Sequence, residues 1–247
     1  MKTVLDDLLE SLPDEATPVR HVLAGAHWTV VCSRGAGMAA TLMPEKPHGH
    51  ASVHEVGRLH EKPARALAEM ARSSDLLEAS IGVAAMNSLL TVDESKAREL
   101  NAADVLASRG AGRTVALIGH FPFIDRLRPA VGQLWVIEQH PLEGEYPAEA
   151  ALDLLPKADV VAITGSAVIN HTLDGLLALC KGKSTVMVLG PSTPLSPVLF
   201  EHGATIISGT RVVDEEAVLR TVAQGASFRQ VEGVKLLTFE REAATGQ

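Results

Sequence analysis

Five short apolar runs, at residues 114–119, 134–138, 159–165, 185–190 and 204–208, constrain this chain more than any other feature. Runs of this length without sustained alternation suit strands buried on both faces. Segments of helical length separate them. Strand and helix in that order predict a mainly parallel sheet with right-handed crossovers and helices on both faces.

The preceding residues follow another pattern. Val4, Leu5, Leu8, Leu9 and Leu12 recur at helical spacing, placing an amphipathic helix near 2–12 that Pro13 stops. Runs at 19–24, 28–32 and 38–43, separated by Gly25 and by a turn at Gly35 and Gly37, predict a small antiparallel meander. Helices are expected at 64–72 and 75–90. The second is apolar on nearly every side, so it should be buried, with Asp75 as its cap and Asn87 as an interior amide that must find partners. A further helical stretch at 94–106 leads to SRGAGR, the expected boundary between a domain at 1–108 and a second at 109–247.

Composition narrows the function classes. Aromatics make up only 3% of a chain that is 46% hydrophobic, so the core must be built from Ala, Val, Leu and Ile. A formal charge of -8 and the lack of any basic stripe argue against a nucleic-acid partner. No run approaches the length of a membrane span, and the acidic start MKTVLDDLLESLPDE is unlike a signal peptide, so a cytoplasmic location is expected with no membrane partner. Cys32 and Cys180 then read as free, buried thiols in a reducing compartment. Low-charge helix surfaces would allow a homodimer.

The carboxyl ends of parallel strands lie along one sheet edge, where open α/β folds bind ligands. Gly119, Glu138, the turn Thr164–Gly165–Ser166 and the turn Gly190–Pro191–Ser192 all fall there. Asn170 and Thr172 follow at the start of a helix expected to run through Leu173, Leu176, Leu177 and Cys180, with Ser166 as a possible N-cap. Exposed amides and hydroxyls favour a polar or anionic ligand. Each Gly or Ser alone could be only a turn or cap residue, and it is their joint placement that points to a site. IGHFPF, Ile118–Phe123, has one glycine where a dinucleotide fingerprint needs several, although Glu138 lies nineteen residues after Gly119, near the usual ribose-binding carboxylate. Phe121 and Phe123 could wall a pocket or belong to the core. Ser166, His171 and Asp174 do not read as a hydrolytic triad, because TGSAV lacks the second glycine of the nucleophile elbow and three partners this close on one helix rarely converge.

From Pro44 through Pro63 the chain has three prolines and four histidines. His48, His50 and His54, with His60 further on, have spacing that could chelate zinc, copper or nickel, and solvated histidines in a loop are the simpler alternative.

Together IGVAAMNSLL, IGHFPF, DVVAITGSAVINHTLDGLL and VLGPSTPLSPVLFEHGATIISGTRVVD resemble a two-domain family of bacterial and archaeal heavy-metal chelation proteins. The resemblance covers almost the whole chain. It implies a small α+β domain similar to the N-terminal domain of enolase, then a Rossmann-like α/β domain, with the site in a cleft between them. Carried over by motif, that cleft would hold Asn87, Gly119, Phe121, Glu138, Thr164, Gly165, Ser166, Asn170, Thr172, Gly190, Pro191 and Ser192. The expected function is binding of a small polar, anionic or metal-chelating ligand in metal-cofactor metabolism, with a divalent transition metal as the implied cofactor. The alternatives are a non-catalytic metal-binding protein that uses His48, His50 and His54, and a nucleotide- or adenosyl-cofactor enzyme.

Overall fold

A computed structural model describes residues 2–14, 16–43, 53–180, 182 and 185–242. Strands β1 (His21–Ala24), β2 (Trp28–Cys32) and β3 (Ala36–Ala40) form the antiparallel meander. The helix Leu76–Leu89 packs across it, capped as expected by Asp75, whose carboxylate accepts the Leu77 and Glu78 amides. Ten of its fourteen residues are buried. Close approach explains its small residues: a Cβ on Gly82 would fall 1.9 Å from the Ala71 nitrogen. Gly37 differs from expectation. It sits inside β3 opposite Val31, because a side chain there would meet the Ala84 carbonyl at 2.2 Å.

The second sheet has seven strands: β4 (Thr114–Ile118), β5 (Gln133–Glu138), β6 (Tyr146–Pro147), β7 (Val160–Thr164), β8 (Thr185–Leu189), β9 (Ile206–Val212) and β10 (Val234–Glu240). Their order is β10-β9-β8-β7-β4-β5-β6, and only β10 runs antiparallel to its neighbour. The mixed α/β class is the expected one. From β4 the chain moves outward to β5 and β6, then returns to lay β7 on the other side, so the topological switch point lies between β4 and β7.

Three readings are corrected. Residues 94–106 do not form one helix: a 3-10 turn, Glu94–Lys96, is followed by an extended segment because Arg98 exchanges backbone hydrogen bonds with Thr238 of β10. Asn101 then caps the helix Ala102–Gly110, which spans the expected 108/109 boundary and buries Val105 and Leu106 in the core beside the large sheet. The helix expected after Thr164 is two short ones, Ser166–Ile169 and Leu173–Leu179. His171 separates them in a left-handed conformation (φ 59°), while its Nε2 meets the Ala71 carbonyl at 2.7 Å. The Ser166 side chain makes no capping bond.

Residues alternate between two cores along the large sheet. Ala116, Val161, Ile163, Val186, Val188 and Ile207 join one apolar cluster that continues into Leu8, Leu67, Ile81 and Met86 of the first half. Val115, Leu117, Val136, Val160, Ala162 and Met187 join the other. The first half therefore shares a core with one face of the large sheet. Cys32 and Cys180 are both buried and free. No helix among the described residues is long and apolar enough to cross a membrane.

Candidate functional site

Two cavities open on the carboxyl edge of the large sheet, one of about 950 Å³ and one of about 630 Å³. Leu42, His120, Thr164 and Ser166 line both, so the two spaces meet over the switch point. Ten of the twelve proposed ligand residues face one or both. Phe121, Thr164, Ser166, Gly190, Pro191 and Ser192 line the larger; Gly119, Glu138, Asn170 and Thr172, again with Thr164 and Ser166, line the smaller.

Gly119 and Gly190 end β4 and β8 with φ of 109° and 112°, a conformation that side chains rarely adopt. Each bends the chain away from the sheet as its amide finishes the ladder, bonding Ile137 and Ser208 respectively. Gly165 has a different use. It lines neither cavity, and a Cβ there would lie 2.4 Å from the Thr193 hydroxyl, so this glycine lets two strand-end loops pack together.

Asn87 also lies outside both cavities. Its amide donates to the Met38 and Ser192 carbonyls at 2.9 and 3.3 Å, and the Ser192 hydroxyl, on a residue only 2% exposed, accepts the Ala40 amide at 2.8 Å. These bonds tie β3 and the long helix to the loop after β8. The interior amide required by the sequence thus finds its partners in a seam between the halves, although Asn87 Oδ1 is buried and unpartnered among the described residues.

In the smaller cavity Glu138 is held by the backbone, accepting the His120 and Gln139 amides at 2.7 and 2.8 Å. Asn170 and Thr172 bond each other through Asn170 Oδ1 and the Thr172 hydroxyl at 2.7 Å. Phe121 and Phe123 are both half-buried. They stack with centroids 5.1 Å apart, line the larger cavity and also pack against the core.

Several contributors were not singled out in the sequence. Trp28 and Phe228 meet edge to face at 5.4 Å on the larger cavity, and the buried Trp28 Nε1–H has no partner among the described residues. Arg126, Arg229, His27 and His120 line the same space. Among the described residues no Asp or Glu does, although the chain carries 30 acidic residues against 22 Lys and Arg. Arg126 is paired with Asp104 at 3.0 Å, and Arg229 donates to the Pro122 carbonyl at 3.3 Å. Phe228 and Arg229 belong to a short 3-10 turn far along the chain, where no local pattern marks them.

The thiols offer no nucleophile. Burial pushes Cys32 up to about 11, with Glu215 adding to the effect, and burial does the same to Cys180. His48 and His50 lie outside the described residues. His54 is described: its side chain is 84% exposed and faces Glu55 at 3.5 Å. Among the described residues no group of three His, Cys, Asp or Glu could hold a metal ion, so the described side chains do not fit a protein-held metal.

A family described as putative heavy-metal chelation, DUF364, matches residues 101–239, and DUF4213, with the same description, matches residues 5–90. The fold is shared with a crystal structure of a DUF364 protein of unknown function from Desulfitobacterium hafniense DCB-2, which is 29% identical, covers 96% of this chain and 98% of its own, and superposes with a TM-score of 0.84. A DUF364 structure from Pyrococcus horikoshii, 23% identical and also of unknown function, has the same coverage and a TM-score of 0.80. An uncharacterized protein of Methanocaldococcus jannaschii is 28% identical over 215 residues, covering 83% of this chain and 82% of the relative.

Proposed function

The chain belongs to the DUF364 family, and from that membership we propose that the paired cavities bind a small, flat, anionic molecule that chelates a heavy metal. The carrying observation is the charge of the larger cavity: among the described residues two arginines, two histidines and no carboxylate line it, in an acidic protein. Such a pocket concentrates anions. Phe121, Phe123, Trp28 and Phe228 supply aromatic walls that favour a flat ring system.

The family description concerns metals, and the described residues offer no cluster to hold one. In this reading the ligand supplies the metal's donor atoms and the protein supplies shape, stacking and countercharge. Hydroxyquinoline sulfonate, an aromatic anionic chelator, is a suitable probe. At a hundred times its dissociation constant a ligand stabilises the folded state by about 2.7 kcal/mol, a rise in Tm of roughly 5–10 °C for a chain of this size. The chelator, alone or with zinc or nickel, should give that rise in a variant with His48, His50 and His54 replaced by Ala. No shift with the chelator in either form would remove the cavity reading. A shift with metal alone that the triple replacement abolishes would move the function to the histidine loop.

A further inference from the structure

Among the described residues His120 is the one titratable side chain that lines both cavities, and its surroundings are built. Its backbone amide is fixed by Glu138 at 2.7 Å. Its ring Nδ1 lies 2.9 Å from Glu145 Oε1. The Glu145 side chain is only 6% exposed, and its other oxygen accepts the Leu142 amide at 2.9 Å, so this carboxylate is anchored at both ends. An ionised carboxylate can only accept, so in the neutral ring Nδ1 carries the hydrogen and Nε2 the lone pair. No described residue partners Nε2, and the His120 side chain is 50% exposed.

We propose that His120 Nε2 is a proton acceptor for the bound ligand, with Glu145 as its positioning residue. The inference rests on the cavity reading above and assigns a chemical act to it. Donor atoms of a chelator, such as a phenolic oxygen, must lose their proton before they coordinate. In the proposed step the ligand O–H bond breaks, its electron pair stays on oxygen, and the proton forms an N–H bond at His120 Nε2. The resulting imidazolium faces the Glu145 carboxylate, and the ligand anion remains in a cavity lined by Arg126 and Arg229. An oriented imidazole beside a carboxylate is a common device for proton transfer at a bound group.

Nitrogen-15 NMR of the full chain labelled at histidine tests this directly. In the free wild-type protein His120 should show a protonated Nδ1 and an unprotonated Nε2. With hydroxyquinoline sulfonate at neutral pH, where the free chelator is the phenol, the bound chelator should absorb as the phenolate as Nε2 becomes protonated. His120→Asn keeps a donor for Glu145 but lacks Nε2, so it should bind the chelator as the phenol. Glu145→Ala should shift His120 towards the Nε2–H tautomer, which a merely structural carboxylate would not do. A free wild-type protein already carrying the Nε2 proton overturns the proposal without any variant. So does chelator bound as the phenol by wild type, or as the phenolate by His120→Asn, and either of these leaves the cavity reading intact. Absence of binding to wild type overturns both.

Discussion

Ser166 and Ser192 occupy similar places, two residues past the end of β7 and three past the end of β8, and they serve opposite ends. Ser192 is a buried joint where the seam meets the larger cavity, its hydroxyl accepting Ala40 and its carbonyl accepting Asn87. Ser166 is half-buried where the two cavities meet, and its hydroxyl has no partner among the described residues. The same residue type at the same kind of turn is a joint in one loop and an open group in the other. What decides is whether the first half of the chain offers the hydroxyl a hydrogen-bond partner.

The largest effect should come from the tightest part of the packed region. Gly82→Ala places a methyl 1.9 Å from a backbone nitrogen and 2.5 Å from a Cα, and neither can yield as a flexible side chain would. A loss of about 3 kcal/mol or more is expected in urea unfolding. A near-neutral result would show that the helix Leu76–Leu89 is not held as closely as described.

The serine pair comes next. Ser192→Ala leaves the half-buried Ala40 amide without its acceptor and should cost about 1–3 kcal/mol. Ser166→Ala should stay within about 0.5 kcal/mol while weakening chelator binding. Equal losses of stability would erase the distinction between seam and cavity.

The buried thiols predict a smaller, pH-dependent effect. Cys32 and Cys180 are both raised to about 11 by burial, against about 8.5 for an unfolded thiol. Between those values the unfolded chain has released protons that the folded chain retains, so stability should fall as pH rises from about 9 towards 11. Cys180→Ala should flatten the slope of an alkaline denaturation series. An unchanged slope would remove burial of Cys180 as its source.

At the small end is Gly175→Ala. That glycine lies in the helix Leu173–Leu179 on the smaller cavity, with no atom near enough to meet a new methyl. A gain of up to about 1 kcal/mol is expected in the same urea series. A loss comparable with that of Gly82→Ala would show that the cavity wall is packed after all.

The sequence revealed most where the signal is local. Uninterrupted apolar runs marked five of the six parallel strands, and the Asp75 cap and the buried helix were legible from spacing and hydropathy. Strand β10 was not, because Val234–Glu240 is a half-exposed edge whose partner β9 is set by long-range pairing. The break at His171 was hidden for a similar reason: its bond to Ala71 crosses 100 residues. At the site, strand-end logic found Gly119, Thr164, Ser166 and Gly190. The family resemblance put Asn87 in the cleft; its amide instead bonds across the seam to Met38 and the loop after β8. His120 stood within a recognised motif, IGHFPF, and only the fold brings Glu145 to its ring.

The central claim is that the space over the switch point is a ligand site. Titrating hydroxyquinoline sulfonate into wild type and Ser166→Phe tests it most directly, because the new ring would occupy the junction of the two cavities. Saturable binding to wild type, weakened at least about tenfold (1.4 kcal/mol) in a variant with an unchanged Tm, is the predicted result. Equal binding by the two proteins, or none by wild type, would contradict it.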